Sequence, residues 1–181
     1  MSDSAKEGRG KSYRPAWWLP GGHAQTLWGK LGKKRHMPPA TREELTTPDG
    51  DAIELHTAGP AKAPRRVLLL HGLEGNTNSH YVGGLFREAE RRDWGISLML
   101  FRGCGDSPNR ARRFYHSGET TDVSHVFGVL RDRWPAAQWM CVGVSLGANV
   151  LLKWLGEGGE SAGVKAAAAV SAPFDLEAGA L

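Results

Sequence analysis

With 181 residues, a net charge of +4, 40% hydrophobic and 23% charged residues, the chain can fill one packed core and is too polar to be membrane-embedded. No uninterrupted apolar stretch reaches the roughly 18 residues of a membrane-spanning helix, and Met1 to Gly10 lacks the apolar core of a signal peptide, so a cytoplasmic protein with no transmembrane segment is expected. The basic clusters at Lys30 to Arg35 and Arg110 to Arg113 are short and carry no repeated interleaving of stacking aromatics. That argues against nucleic acid and for a solvated face, with peripheral attraction to anionic lipid or substrate as its remaining use.

Residues 1–15 are small, charged and rich in Gly and Ser, which predicts a disordered lead-in to a single domain over 16–181. Gly10-Lys11-Ser12 is no phosphate loop, because Ala5 stands where its first glycine should fall and no apolar strand precedes it. The segment Trp17 to Trp28 is too aromatic for a linker and is expected to pack across the domain; Pro38 and Pro39 close it. Glu43 to Thr47 and Asp51 to Thr57 flank Pro48-Asp49-Gly50 and predict a hairpin.

From there the rhythm changes to apolar runs alternating with helical patterns. Val67 to Leu70 reads as a strand buried on both faces, and Ser79 to Arg92 as a helix with Tyr81, Val82, Leu85, Phe86 and Ala89 on its apolar side. Ile96 to Phe101 is the next strand, broken by Gly103 and Gly105. A helix capped by Thr121 or Asp122 follows, with Val123, Val126, Phe127 and Leu130 on its apolar face and Pro135 ending the region. Trp139 to Val144 predicts a strand, Leu146 to Leu155 a helix leaving through Gly156 to Gly159, and Lys165 to Val170 a sixth strand. The alternation predicts an α/β fold, a mostly parallel sheet with helices on both faces. Cys104 and Cys141 form no C-x-x-C pair and sit beside apolar runs, as free thiols would.

Gly143-Val144-Ser145-Leu146-Gly147 is a G-x-S-x-G match between a predicted strand and a predicted helix. That context predicts a nucleophile elbow: a sharp turn holds the serine in a strained conformation, and Gly143 and Gly147 let strand and helix approach. Ser145 is the candidate catalytic nucleophile, near the positive end of the following helix. In this architecture the oxyanion hole draws one amide from the residue after the nucleophile, Leu146, and one from the loop after the third strand. There, in His71-Gly72-Leu73-Glu74-Gly75, Leu73 is the candidate. His71 is expected to brace that turn rather than transfer protons. Phe101 to Pro108 is no phosphate loop, because Pro108 replaces the last glycine of G-x-G-x-x-G; an Arg102–Asp106 pair is expected to hold this turn. His116 and Glu119 are expected to be structural.

Together with Pro20-Gly21-Gly22-His23-Ala24-Gln25-Thr26-Leu27, Tyr115-His116-Ser117-Gly118-Glu119-Thr120 and Ser171-Ala172-Pro173-Phe174-Asp175-Leu176, these motifs resemble the YheT-type branch of the α/β-hydrolases from about Trp17 onward. The resemblance implies an eight-stranded hydrolase core, a Ser-Asp-His triad, and hydrolysis of short- or medium-chain acyl esters or lipids without a cofactor. Ala148 departs from it, standing where the branch usually has a second glycine. In this fold the acid and the histidine follow the serine, yet all 7 histidines, His23 to His125, precede Ser145. The chain therefore reads as a partial domain, truncated after about the sixth strand and nearly inactive as it stands, with the triad Asp and His expected downstream of residue 181. No His/Cys spacing suggests a metal site. An acyltransferase using the same acyl-serine and a non-catalytic binding module remain as alternatives.

Overall fold

The computed structural model describes residues 14–31 and 36–177. Most of the lead-in expected over 1–15, and most of the basic cluster at Lys30 to Arg35, lie outside the described residues. The chain divides into two units, 1–34 and 35–181. In the first, Gly22–Leu31 forms helix α1, Gln25 Nε2 donates to the Leu19 carbonyl at 3.2 Å, and Trp18 meets Trp28 edge-on with ring centroids 5.0 Å apart.

In the second unit the predicted elements occur in the predicted order: β1 (Thr41–Thr46), β2 (Ala52–Ala58), β3 (Arg65–Leu70), α2 (Val82–Arg91), β4 (Gly95–Met99), α3 (Thr121–Arg133), β5 (Gln138–Val144), α4 (Leu146–Gly158) and β6 (Ala166–Val170). They build one sheet in the order β1-β2-β4-β3-β5-β6. The β1/β2 and β2/β4 pairs are antiparallel, and the β3/β4, β3/β5 and β5/β6 pairs are parallel.

Side chains on a strand alternate between faces, so the apolar run of β3 feeds two cores at once. Leu68 and Leu70 join Val126, Phe127 and Leu130 of α3 and Val150, Leu151 and Trp154 of α4 on one face. Val67 and Leu69 join Val82, Phe86 and Ala89 of α2 on the other. The loose alternation of β2 has the same cause: lying inside the sheet, it buries Glu54 and His56 as well as Ile53 and Leu55. The buried carboxylate is not left alone, since Glu54 meets His56 Nε2 at 2.5 Å and Arg42 Nη2 at 2.8 Å. Burial raises the Glu54 pKa, but the Arg42, Asp106-amide and His56 hydrogen bonds outweigh it and bring the carboxyl down to about 2.

Three local expectations are corrected. β4 ends at Met99 rather than Phe101, because the Phe101 amide donates to His71 Nε2 at 3.0 Å instead of continuing a ladder. Helix α3 begins at Thr121 with Thr120 at the N-cap, and neither predicted cap residue serves; Glu119 Oε1 accepts the Thr121 amide at 2.8 Å. Arg102 does not pair with Asp106. The exposed Asp106 lies 3.5 Å from Arg42, while Arg102 turns inward. Its Nε and Nη2 grip the two oxygens of Asp122 at 2.6 and 2.8 Å, Nη2 reaches Asp49 at 2.9 Å, and Nη1 reaches Asp51 at 3.2 Å.

This clasp ties the β1/β2 turn to the start of α3 and to the loop between them. Asp51 also accepts the Arg110 and Ala111 amides, and Arg113 Nη2 adds a second cation on Asp122 at 2.8 Å. Hydrogen bonding to Asp122, working against burial, and then to Asp49 holds the Arg102 pKa above its ordinary value. Arg102→Met would leave the buried Asp51 without its cation and Asp122 with Arg113 alone; the expected loss is about 3 kcal/mol of unfolding free energy in urea titrations at pH 7.

Candidate active site

The parallel pairing of β3 with β5 matches Leu70 with Gly143, so the same register, carried past the end of β3, brings His71-Gly72 alongside Val144-Ser145. Strand β3 connects to α2 on one face of the sheet, and β5 connects to α4 on the other. Connections that leave neighbouring strand ends in opposite directions open a crevice between them. Ser145 stands at that place, half-buried, with φ +53°.

A non-glycine residue there is strained, and its surroundings hold it. The Ser145 amide donates to the Val170 carbonyl of β6 at 2.8 Å, and its own carbonyl accepts the Ala148 amide at 2.9 Å, starting α4. The two flanking glycines are needed for space rather than for backbone freedom. A methyl on Gly143 would lie 2.7 Å from the Ala148 Cα. One on Gly147 would overlap the His71 carbonyl oxygen and lie 2.6 Å from that of Leu70. Ala148, fully buried, fits without such a clash.

Opposite the serine runs the 71–75 turn. A methyl on Gly72 would lie 3.2 Å from Ser145 Cβ and 3.8 Å from Oγ, so the loop backbone passes directly over the Ser145 side chain. The turn closes with the Gly75 amide on the Gly72 carbonyl at 3.0 Å, and Glu74 takes φ +51°. The Leu73 side chain points to solvent, 69% exposed. Among the described residues no hydrogen bond takes up the amides of Leu73 or Leu146.

His71 braces this turn, as expected. It is fully buried; Nε2 accepts the Phe101 amide, so Nδ1 carries the proton and donates to the Gly72 carbonyl at 2.5 Å. Burial pushes its pKa down to about 4, only partly opposed by the Gly72 hydrogen bond, and the ring stays neutral. The other loop residues are also structural. His116 Nδ1 accepts the Gly118 amide at 3.1 Å, and Glu119 pairs with Arg113 at 3.1 Å. Cys104 and Cys141 are free thiols. No three His, Cys, Asp or Glu side chains among the described residues converge as a metal site would, and no described helix is long and apolar enough to cross a membrane.

A family model described as the alpha/beta hydrolase fold matches residues 65–180. The chain belongs to the α/β-hydrolase family. Within it, the chain is 42% identical over 159 residues to the protein named "Putative esterase YheT" of Escherichia coli (strain K12), covering 86% of this chain and 47% of that protein. It is 30% identical to the monoacylglycerol lipase of Saccharomyces cerevisiae, over 75% of this chain and 29% of that one. The chain thus spans half or less of the length of these curated relatives. The Pyrococcus furiosus esterase Pf2001 shares the hydrolase fold at a TM-score of 0.65 and 21% identity, over 77% of this chain and 53% of that structure.

Two outcomes test this geometry. Gly147→Ala is expected to cost about 3 kcal/mol in urea unfolding, because its methyl meets two main-chain carbonyls that cannot move without breaking β3. The His71 pKa of about 4 lies below its ordinary 6.5, so the unfolded chain takes up a proton that the folded chain refuses. Its contribution to stability is therefore complete above pH 6.5 and falls as the pH drops towards 4, by up to about 3 kcal/mol. Unfolding curves between pH 7 and pH 4 should show this slope, and His71→Asn should remove it.

Proposed function

We propose that the protein is a serine hydrolase of carboxylic esters that works through an acyl-enzyme on Ser145. The observation that carries this reading is Ser145 itself: a strained serine on a strand-to-helix turn, facing a loop whose backbone passes within a methyl's width of its side chain. Such a turn is the nucleophile elbow, and strain of this kind persists where function needs the side chain presented.

In the reaction, Ser145 Oγ attacks the ester carbonyl carbon and gives its proton to a histidine base. The carbonyl oxygen becomes an oxyanion, which accepts hydrogen bonds from the Leu73 and Leu146 amides. Collapse of the tetrahedral intermediate expels the alcohol, which takes the proton back from the histidine. Water then attacks the acyl-serine with the same base, and the acid leaves. His71 is unsuited to be that base, since both ring nitrogens are engaged and the ring resists protonation. In this fold the acid and the histidine follow the serine in the chain, so this reading seeks the triad partners after Ser145. Relatives named as an esterase and a monoacylglycerol lipase support small acyl esters, lipid esters included, as the substrate class.

In the full-length protein, Ser145→Ala is expected to reduce kcat on p-nitrophenyl butyrate by about a millionfold. A fluorophosphonate should label Ser145, as read by mass spectrometry of the tryptic peptide. A folded protein whose Ser145 stays unlabelled would instead be a non-catalytic member of the family.

A further inference from the structure

The turn that faces Ser145 is held by two phenols. Tyr81 Oη accepts the Gly72 amide at 3.0 Å, and Tyr115 Oη accepts the Glu74 amide at 2.9 Å. The amide between them, that of Leu73, is left without an acceptor among the described residues. The two tyrosines come from different places: Tyr81 stands immediately before α2, and Tyr115 lies 41 residues beyond Glu74, in the loop before α3.

Both are fixed in turn. The Tyr115 ring stacks on Phe101 with centroids 5.2 Å apart and planes 7° from parallel, and the His71 ring meets both edge-on. The Tyr115 loop is anchored by Arg102 and Arg113 to Asp122. Glu74, whose amide Tyr115 holds, has φ +51°, a strained conformation that a free loop would relax. Burial, and then the Cys104 thiol, push the Tyr115 phenol up to about 12, so it remains a neutral acceptor through any ordinary assay pH.

We propose that Tyr81 and Tyr115 are positioning residues for the oxyanion hole, clamping the amides on either side of Leu73 so that its own N–H is held towards the reacting carbonyl oxygen. The inference rests on the esterase reading of Ser145. A preorganised donor acts on the transition state more than on bound substrate, so its loss appears in kcat rather than KM.

The test uses the full-length protein with p-nitrophenyl butyrate, comparing the parent with Tyr81→Phe, Tyr115→Phe, the double variant and Ser145→Ala. Phenylalanine keeps the ring packing and removes only the acceptor. Each single variant should lose about tenfold in kcat and the double about a hundredfold, approaching the loss of one oxyanion donor, with KM within twofold of the parent. The rate of Ser145 labelling by a fluorophosphonate should fall in parallel, because the phosphonyl oxygen uses the same donors. Should the double variant fail to fold, the two singles decide. An inactive Ser145→Ala beside tyrosine variants with kcat within twofold of the parent, or with the loss residing in KM, overturns the clamp alone. Undiminished activity in Ser145→Ala overturns the esterase reading and the clamp with it.

Discussion

The carboxyl ends of β3 and β5 meet main chain against main chain, and the site depends on that contact. Gly147 packs against the carbonyls of Leu70 and His71, Gly143 against Ala148, and Gly72 against Ser145. At each place a methyl would meet backbone or the Ser145 side chain. The absence of three side chains lets helix α4 start immediately after β5 and brings the 71–75 turn over the serine. The strain at Ser145 and at Glu74 follows from so tight a convergence. It costs about 1–2 kcal/mol per residue, and two apolar layers on one shared sheet absorb it.

Charge does for the loops what apolar packing does for the sheet. The segment between β4 and α3 has few apolar anchors, and it crosses from the hairpin to the helix through the Arg102 clasp. A buried guanidinium with three carboxylates is a poor source of net stability, since desolvation consumes most of the Coulomb energy. What it provides is geometry, because the planar donor fork accepts only one arrangement of Asp122, Asp51 and Asp49. The segment carries Phe101 and Tyr115, so its register sets where the aromatic cluster around His71 sits.

Much of this was legible in the sequence where one residue type admits one reading. Gly143 and Gly147 around Ser145, between an apolar strand and an apolar-faced helix, indicated a close strand-helix approach, and the β3 run indicated a two-sided sheet. Helix α1 is harder to read although Ala24, Leu27, Trp28 and Leu31 recur at helical spacing, because the density of Trp, Gly and Pro around them masks the period. Arg102 pairs elsewhere than its neighbourhood in the sequence suggests, and the reason is general. Sequence proximity favours Asp106, four residues on, whereas the actual acids lie 53, 51 and 20 residues away and meet only once the hairpin folds over α3. Tyr81 and Tyr115 carried no signal beyond apolar periodicity and membership of a motif, since a phenol used through its oxygen looks the same in sequence as one used through its ring.

The distribution of hydrogen bonds around residues 71–75 is what makes this short, strained turn suited to the oxyanion role proposed for it. An oxyanion donor must be held in place yet unpaired, and an amide in a tight turn ordinarily escapes that state by closing on a nearby carbonyl. Here the nearby carbonyl is already taken. Gly72 O accepts both the Gly75 amide and His71 Nδ1, which fills its two lone pairs. His71 in turn can give its proton to Gly72 only because the Phe101 amide occupies Nε2 and fixes the tautomer, and burial keeps the ring neutral. Each neighbour of Leu73 is satisfied from outside the turn, and among the described residues no acceptor takes up its own amide. Under the proposed esterase reading, a substrate carbonyl is an acceptor of the right kind.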